Sequence, residues 1–318
     1  MSLLFPNLTT MSYATKANRE AELETRKRFQ EFLDPEKPDI KITSFAGTMK
    51  DDWEKITGAA ATLTKPPIDP HKELVDLSYE FGGRYAPPLQ LDLPLMIAGM
   101  SAGALSDNAK LAIHKALNIL ATEHNIKLLY NTGEGGVLKH EIEDRNYFLM
   151  AQVASGRFAV SLETLLQADA IEIKISQGAK PGMGGLLLGE KVNESIAERR
   201  RIPLGVPAYS PARNMDIIGP EDVFSSIQQY RIITGGKTPI GIKIAATNVY
   251  YDAIIASRMA DFITVDGMPA TTGARPEFAS FLGIPTIPAI VEASKGIDTM
   301  VSDLYTELRK NPSLFTGR

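Results

Sequence analysis

The chain has no cysteine, a single tryptophan and only four histidines among 318 residues. Without cysteine it forms no disulfide, builds no thiolate zinc site, offers no cysteine nucleophile and ligates no iron–sulfur cluster of its own. His71, His114, His124 and His140 show no paired metal spacing and are expected to be structural. Excess charge is missing as well: 34 basic side chains face 38 acidic ones, a net charge of −4. That balance gives no electrostatic footprint for nucleic acid or an anionic membrane. No window approaches the ~20 apolar residues of a membrane span. Residues 1–19 have no sustained apolar core of the signal-peptide kind, so a cytoplasmic location is expected. The Gly-x-Ser-x-Gly elbow of a hydrolase is absent. Gly184 to Lys191 resembles a phosphate loop, but Glu190 breaks the required Gly-Lys-Ser/Thr step.

What is present is globular: 44% hydrophobic and 23% charged residues. Residues 1–90 carry a charged helical pattern from Thr15 to Leu33, then recurrent prolines (Pro38, Pro66, Pro67, Pro70, Pro87, Pro88). This stretch reads as an N-terminal extension packed on a second unit, residues 91–318. From Leu93 onward, short apolar runs end in Gly and polar residues, and longer amphipathic segments follow. The runs begin at Leu95, Lys127, Phe148, Ile171, Ile240 and Phe262; the helical patterns are 107–123, 161–168, 191–201, 220–233 and 251–259. Such alternation is the mark of parallel β/α units, in either a (β/α)8 TIM-type barrel or a doubly wound sheet. Polar, Gly-rich segments follow nearly every strand, which favours the barrel, since a doubly wound sheet gathers them at one crevice. After Gly267 two helices are expected, near Pro288 and at 301–309, and strands seven and eight are not evident, so the barrel is expected to be incomplete at its C-terminal side.

In a barrel, chemistry sits on the loops at the C-terminal ends of the strands. Here those loops are 99–103, 131–136, 152–157, 176–189, 245–248 and 266–276, and their glycines let backbone amides approach a flat or anionic ligand. Taken singly, each reads better as an ordinary βα turn; together, at one end of the barrel, they favour a site. Lys174 and Lys243 close two apolar strands. An inward lysine needs an anionic partner such as the electron-rich edge of a reduced flavin; a solvated strand end is the plain alternative for either one. The neutral amide of Gln177, with the cations of Lys180 and one arginine of Arg199-Arg200-Arg201, makes a set suited to a dicarboxylate.

Ala98 to Ser106, Asn131 to Gly136, Gln152 to Phe158 and, most specifically, Ile171 to Gly185 resemble the FMN-binding synthase domain of the glutamate synthase family. Tyr250-Tyr251-Asp252, Val265 to Met268 and Gly283 to Thr286 are similar to shorter relatives that include the FMN subunit of N-methylglutamate synthase. The resemblance implies a barrel with FMN at the strand C-termini and hydride transfer from reduced FMN to 2-iminoglutarate, giving glutamate or N-methylglutamate. Carried over by position, Ala98, Gly99, Met100, Ser101, Asn131, Gln152, Lys174, Lys243, Asp266 and Gly267 would line the flavin. Gln177, Lys180 and Arg200 would hold 2-oxoglutarate, while Glu134 and Lys174 would serve catalysis, Glu134 where ammonia arrives. Glutaminase and electron-donor functions would belong to partner subunits. The chain departs from the family in lacking the cysteine cluster and in reading Ala270-Thr271-Thr272-Gly273 where Gly-Gly-Thr-Gly is usual. Two other readings stay open: a non-catalytic barrel subunit or pseudoenzyme completed by a partner chain or a homo-oligomer, and an FMN barrel acting on another 2-oxo or 2-hydroxy acid.

Overall fold

The computed structural model describes residues 63–64, 66–69, 71–101, 103–158, 160–178, 184–267 and 283–310. Six parallel strands form its centre: β3 (Met96–Ile97), β4 (Leu129–Asn131), β5 (Phe148–Val153), β6 (Ala170–Lys174), β9 (Ile240–Ala245) and β10 (Phe262–Asp266). They lie side by side in chain order, each hydrogen-bonded to the one before it. A doubly wound sheet reverses direction near its middle; among the described residues this one does not, so its strands are those of an incomplete (β/α)8 barrel. Helices cover its outside: α1 (Asp107–Glu123), α2 (Lys139–Glu143), α3 (Leu162–Gln167), α5 (Pro220–Ile233), α6 (Val249–Ala256) and α7 (Thr286–Lys310).

Alternation along the strands divides the side chains. Ile171, Ile173, Ile240, Ile242 and Ile244 point outward into a buried cluster with Leu165, Ile227, Val249, Ala253 and Ala289 of the helices. The inward residues form layers of rising polarity. At the base Leu129, Met150 and Ala170 meet Phe148 and Phe262. An antiparallel hairpin, β1 (Tyr79–Phe81) and β2 (Leu89–Leu91), closes that end. Its Leu91 joins the same cluster, and its Phe81 ring lies 4.5 Å from that of Phe262, centroid to centroid. Asn131, Gln152, Glu172 and Thr264 make the next layer, with Lys174, Lys243 and Asp266 at the open end.

Two expectations change. The segment after β6 does not pass directly into its return helix. It first makes a detour, with a hairpin of β7 (Leu186–Leu187) and β8 (Ala208–Tyr209) enclosing helix α4 (Glu194–Arg200); only then does α5 run back along the sheet. Leu187, Val192, Ile196 and Ala208 give this detour its own small core, packed against Phe158. The last region is a single helix, α7, rather than two. It runs through Gly296 because that glycine faces the Tyr250 carbonyl and Ala253 of α6, where a β-carbon would collide. Alanine is ordinarily the better helix former, yet Gly296→Ala is expected to lower stability by about 1–3 kcal/mol through overpacking. Thermal unfolding of the variant checks the sign.

Candidate functional site

At the open end of the sheet lies a cavity of about 540 Å³, within the range of small-molecule sites. Eleven of the residues singled out from sequence line it: Ala98, Gly99, Met100, Ser101, Glu134, Gln152, Lys174, Gln177, Arg200, Lys243 and Asp266. Asn131 and Gly267 lie behind the wall, Asn131 almost fully buried and Gly267 against Thr286. Lys180 falls outside the described residues.

The wall is built by close approach of backbones. A β-carbon at Gly99 would come within 2.8 Å of Asn131 Oδ1 and 2.9 Å of Gln152 Nε2. Gly133, at φ +75°, holds its loop so tightly against 99–101 that a β-carbon would lie 2.7 Å from the Met100 carbonyl carbon. Asn131 Oδ1 accepts from Gly133 N (2.9 Å), closing the turn that carries Glu134.

Lys174 and Lys243 are direct neighbours in the β6–β9 register, and their parallel pairing puts both on the inner face. Each has a carboxylate: Lys174 Nζ is 3.1 Å from Glu134 Oε2, and Lys243 Nζ is 2.7 Å from Asp266 Oδ2. Lys174 also donates to Gln177 Oε1 at 3.1 Å. Two ammonium groups side by side repel unless anions stand near both, so this mouth is suited to an anionic ligand that takes over part of that role.

The arginine run separates by helix phase. Arg199 reaches back to Asp107 at the start of α1 (2.9 Å), beside Ser195, which donates to the same carboxylate (2.6 Å). Burial raises the Asp107 pKa, but these bonds and the charges of Arg199 and Lys110 outweigh it and hold the carboxyl below its usual range. Arg201 ends α4 in the left-handed conformation, φ 55°, and is exposed. Arg200 turns into the cavity wall, 9% exposed, with its guanidinium 5.0 Å above the Phe158 ring. Its Nη2 fills the space over Gly103 and Gly135. No carboxylate is within ion-pair distance of it among the described residues, and burial depresses its pKa while nearby Glu134 partly opposes that.

Two buried networks support the wall, and their centres, Glu172 and the Lys110–Glu141 pair, lie outside the residues singled out from sequence. Glu172, fully buried, accepts from Asn131 Nδ2 (2.8 Å), Gln152 Nε2 (2.7 Å) and Thr264 Oγ1 (2.6 Å). It therefore fixes which face of each amide is presented toward the cavity. The signal for it was the Glu-x-Lys alternation in β6, which places Glu172 on the same inner face as Lys174. Lys110 of α1, also fully buried, lies 3.1 Å from Glu141 and donates to Thr132 O (2.9 Å) and Thr132 Oγ1 (2.7 Å). Glu141 in turn accepts from Tyr130 (2.8 Å), Thr132 Oγ1 (3.0 Å) and Leu138 N (2.7 Å). Burial and the Glu141 charge push the Tyr130 hydroxyl well above its ordinary pKa, so it stays a proton donor. Together these bonds anchor the loop that carries Glu134.

Among the described residues no cluster of His, Asp or Glu is arranged to hold a metal, and no helix is long and apolar enough to cross a membrane.

Comparison with known proteins agrees with this geometry. Residues 57–312 match the conserved region in glutamate synthase. An archaeal-type glutamate synthase [NADPH] of Thermotoga neapolitana is 39% identical over 257 residues, covering 73% of this chain and 49% of that protein. The archaeal glutamate synthase [NADPH] of Methanocaldococcus jannaschii is 39% identical over 267 residues, covering 75% and 51%. The glutamate synthase [NADPH] large chain of Azospirillum brasilense is 34% identical over 227 residues, covering 69% of this chain and 15% of that one. The chain thus spans about half the length of the archaeal-type relatives it matches. Among solved structures, a lactate oxidase of Pediococcus acidilactici aligns with a TM-score of 0.35 and 13% identity over 72% of this chain and 78% of that one, too slight a likeness to bear on function. On its matched region and its relatives, the chain belongs to the glutamate synthase family.

Proposed function

We propose that the chain is the FMN-binding catalytic unit of a glutamate synthase-type enzyme, which reductively aminates 2-oxoglutarate to glutamate. The observation that carries this reading is the convergence of Lys174, Lys243, Gln177, Glu134 and a buried Arg200 on one cavity at the strand C-termini. The wall suits a flat ring. Ala98 to Ser101 present backbone to the cavity, Gln152 offers a fixed amide, and the paired lysines match an electron-rich ring edge. When bound, a reduced flavin supplies the hydride.

The protein's own part is positioning and electrostatics. Arg200 is oriented to take a substrate carboxylate, with Gln177 beside it. Glu134 is held by Lys174 within the cavity, where it accepts a proton from the incoming amine and returns one as water leaves the carbonyl. The β7–β8 detour walls one side of the cavity and limits water. Ammonia or methylamine, and the electrons, would reach the site from outside these 318 residues, which hold no cysteine nucleophile for a glutaminase step.

The test is spectroscopic. The purified full chain should show flavin bands, bleached by glutamate in the absence of oxygen. Lys174→Met should weaken FMN retention roughly tenfold or more through loss of a charged donor. A colourless protein that FMN does not reconstitute would refute the reading. Bleaching by a 2-hydroxy acid and not by glutamate would transfer the site to another substrate.

A further inference from the structure

A second cavity, of about 410 Å³, lies on the opposite face of β9. Its wall belongs to the sheet exterior: Ile242 and Ile244 of β9, Val223 of α5, Ile255 of α6, and Ile217 and Ile218 just before α5. It shares no lining residue with the first cavity, because Lys243 faces inward where Ile242 and Ile244 face outward. Into this aliphatic space projects one carboxylate, that of Asp252 in the first turn of α6. The helix N-terminus tolerates a negative charge there, but among the described residues no cation or hydrogen-bond donor meets the carboxylate. Burial alone acts on it, raising its pKa above the ordinary carboxylate value. Arg213 stands exposed at the mouth.

A half-buried carboxylate with an aliphatic surround and no partner is costly to maintain unless something of opposite charge arrives. The size of the space fits a small molecule, and its branched aliphatic lining fits a branched aliphatic body. We propose that this cavity binds a small branched aliphatic ammonium, its charged head on Asp252 and its body against the Ile242–Ile244–Ile255 wall. Such a ligand would sit one strand's thickness from Lys243, outside the flavin cavity.

Calorimetric titration of the full chain with isopentylamine tests this, with isovalerate as the control that keeps the body and reverses the head. Isopentylamine is expected to bind saturably and isovalerate not at all. Asp252→Asn should weaken isopentylamine at least tenfold, and Ile255→Phe, which fills the space, should do the same. No saturable binding, equal binding of the two compounds, or unchanged affinity in either variant would overturn the proposal. Thermal unfolding without ligand gives an independent arm. Asp252→Asn should leave the melting temperature unchanged or raise it. A fall shared with Arg213→Ala would show that Arg213 already neutralises the carboxylate, and would also overturn it.

Discussion

Arg200→Ala is expected to leave a protein that folds and binds FMN but is reduced by glutamate at least ~30-fold more slowly, measured as kcat/KM for flavin bleaching. A guanidinium only 9% exposed, with no carboxylate partner among the described residues, is an unusual arrangement. Phe158 beneath it and the glycines at 103 and 135 hold its plane toward the cavity. Truncating one partner of a desolvated charge pair costs roughly 2–5 kcal/mol, or about 30- to several thousand-fold. Arg200→Lys should recover only a fraction, because an ammonium cannot reproduce the two-pronged fork. Arg199→Ala is the internal control. It breaks the clasp to Asp107 at the surface side of α4 and should cost some stability while leaving KM for glutamate nearly unchanged. Equal activity in Arg200→Ala and wild type would remove the substrate assignment while leaving flavin binding untouched.

The largest effect on stability is expected from Lys110→Met. Lys110 and Glu141 are both fully buried, and removing the ammonium strands the Glu141 carboxylate in the core. Breaking a buried pair from one side destabilises by about 3–5 kcal/mol. In a chain of this size that corresponds to a fall in melting temperature on the order of 10 °C. The double variant Lys110→Met with Glu141→Leu should regain a good part of the loss, since no charge is then left unpaired. The Thr132 carbonyl loses its donor in both variants. Even the stabilised double variant should therefore show weakened flavin retention, because the 131–136 loop is no longer anchored. Full recovery of stability together with unchanged flavin affinity would confine Lys110 and Glu141 to the core.

The barrel strands were legible in the sequence because each is a compact apolar run followed by small or polar residues, and all six fall where those runs lie. Lys174 and Lys243 were legible for the same reason: a charge at the end of an isoleucine-rich run has nowhere else to point. The detour was not. Between strands four and five the sequence shows two helical patterns where one crossover needs one, and β7 and β8 are two residues each, too short to produce a periodic signal. Only the family resemblance separates Arg200 from Arg199 and Arg201; composition and spacing do not, since the choice depends on where α4 starts, at its Asn193 cap, and on what stands opposite. Glu172 was passed over because its importance appears only when Asn131, Gln152 and Thr264, from three other strands, converge on it. The break expected in the last helix fails because Gly296 serves contact rather than bending.

The strand order has a consequence for how the molecule is made. Each strand of the parallel sheet is laid against its immediate predecessor, so most native contacts of the sheet are available as soon as the next unit leaves the ribosome. Growth from one edge keeps the loops to be closed small and favours rapid, vectorial folding. The detour between β6 and β9 is the exception. Its anchor on Asp107, 92 residues upstream of Arg199, spans three earlier units. The segment that delivers Arg200 is thus the last piece of that region to find its place, and ligand binding competence should trail the appearance of the sheet.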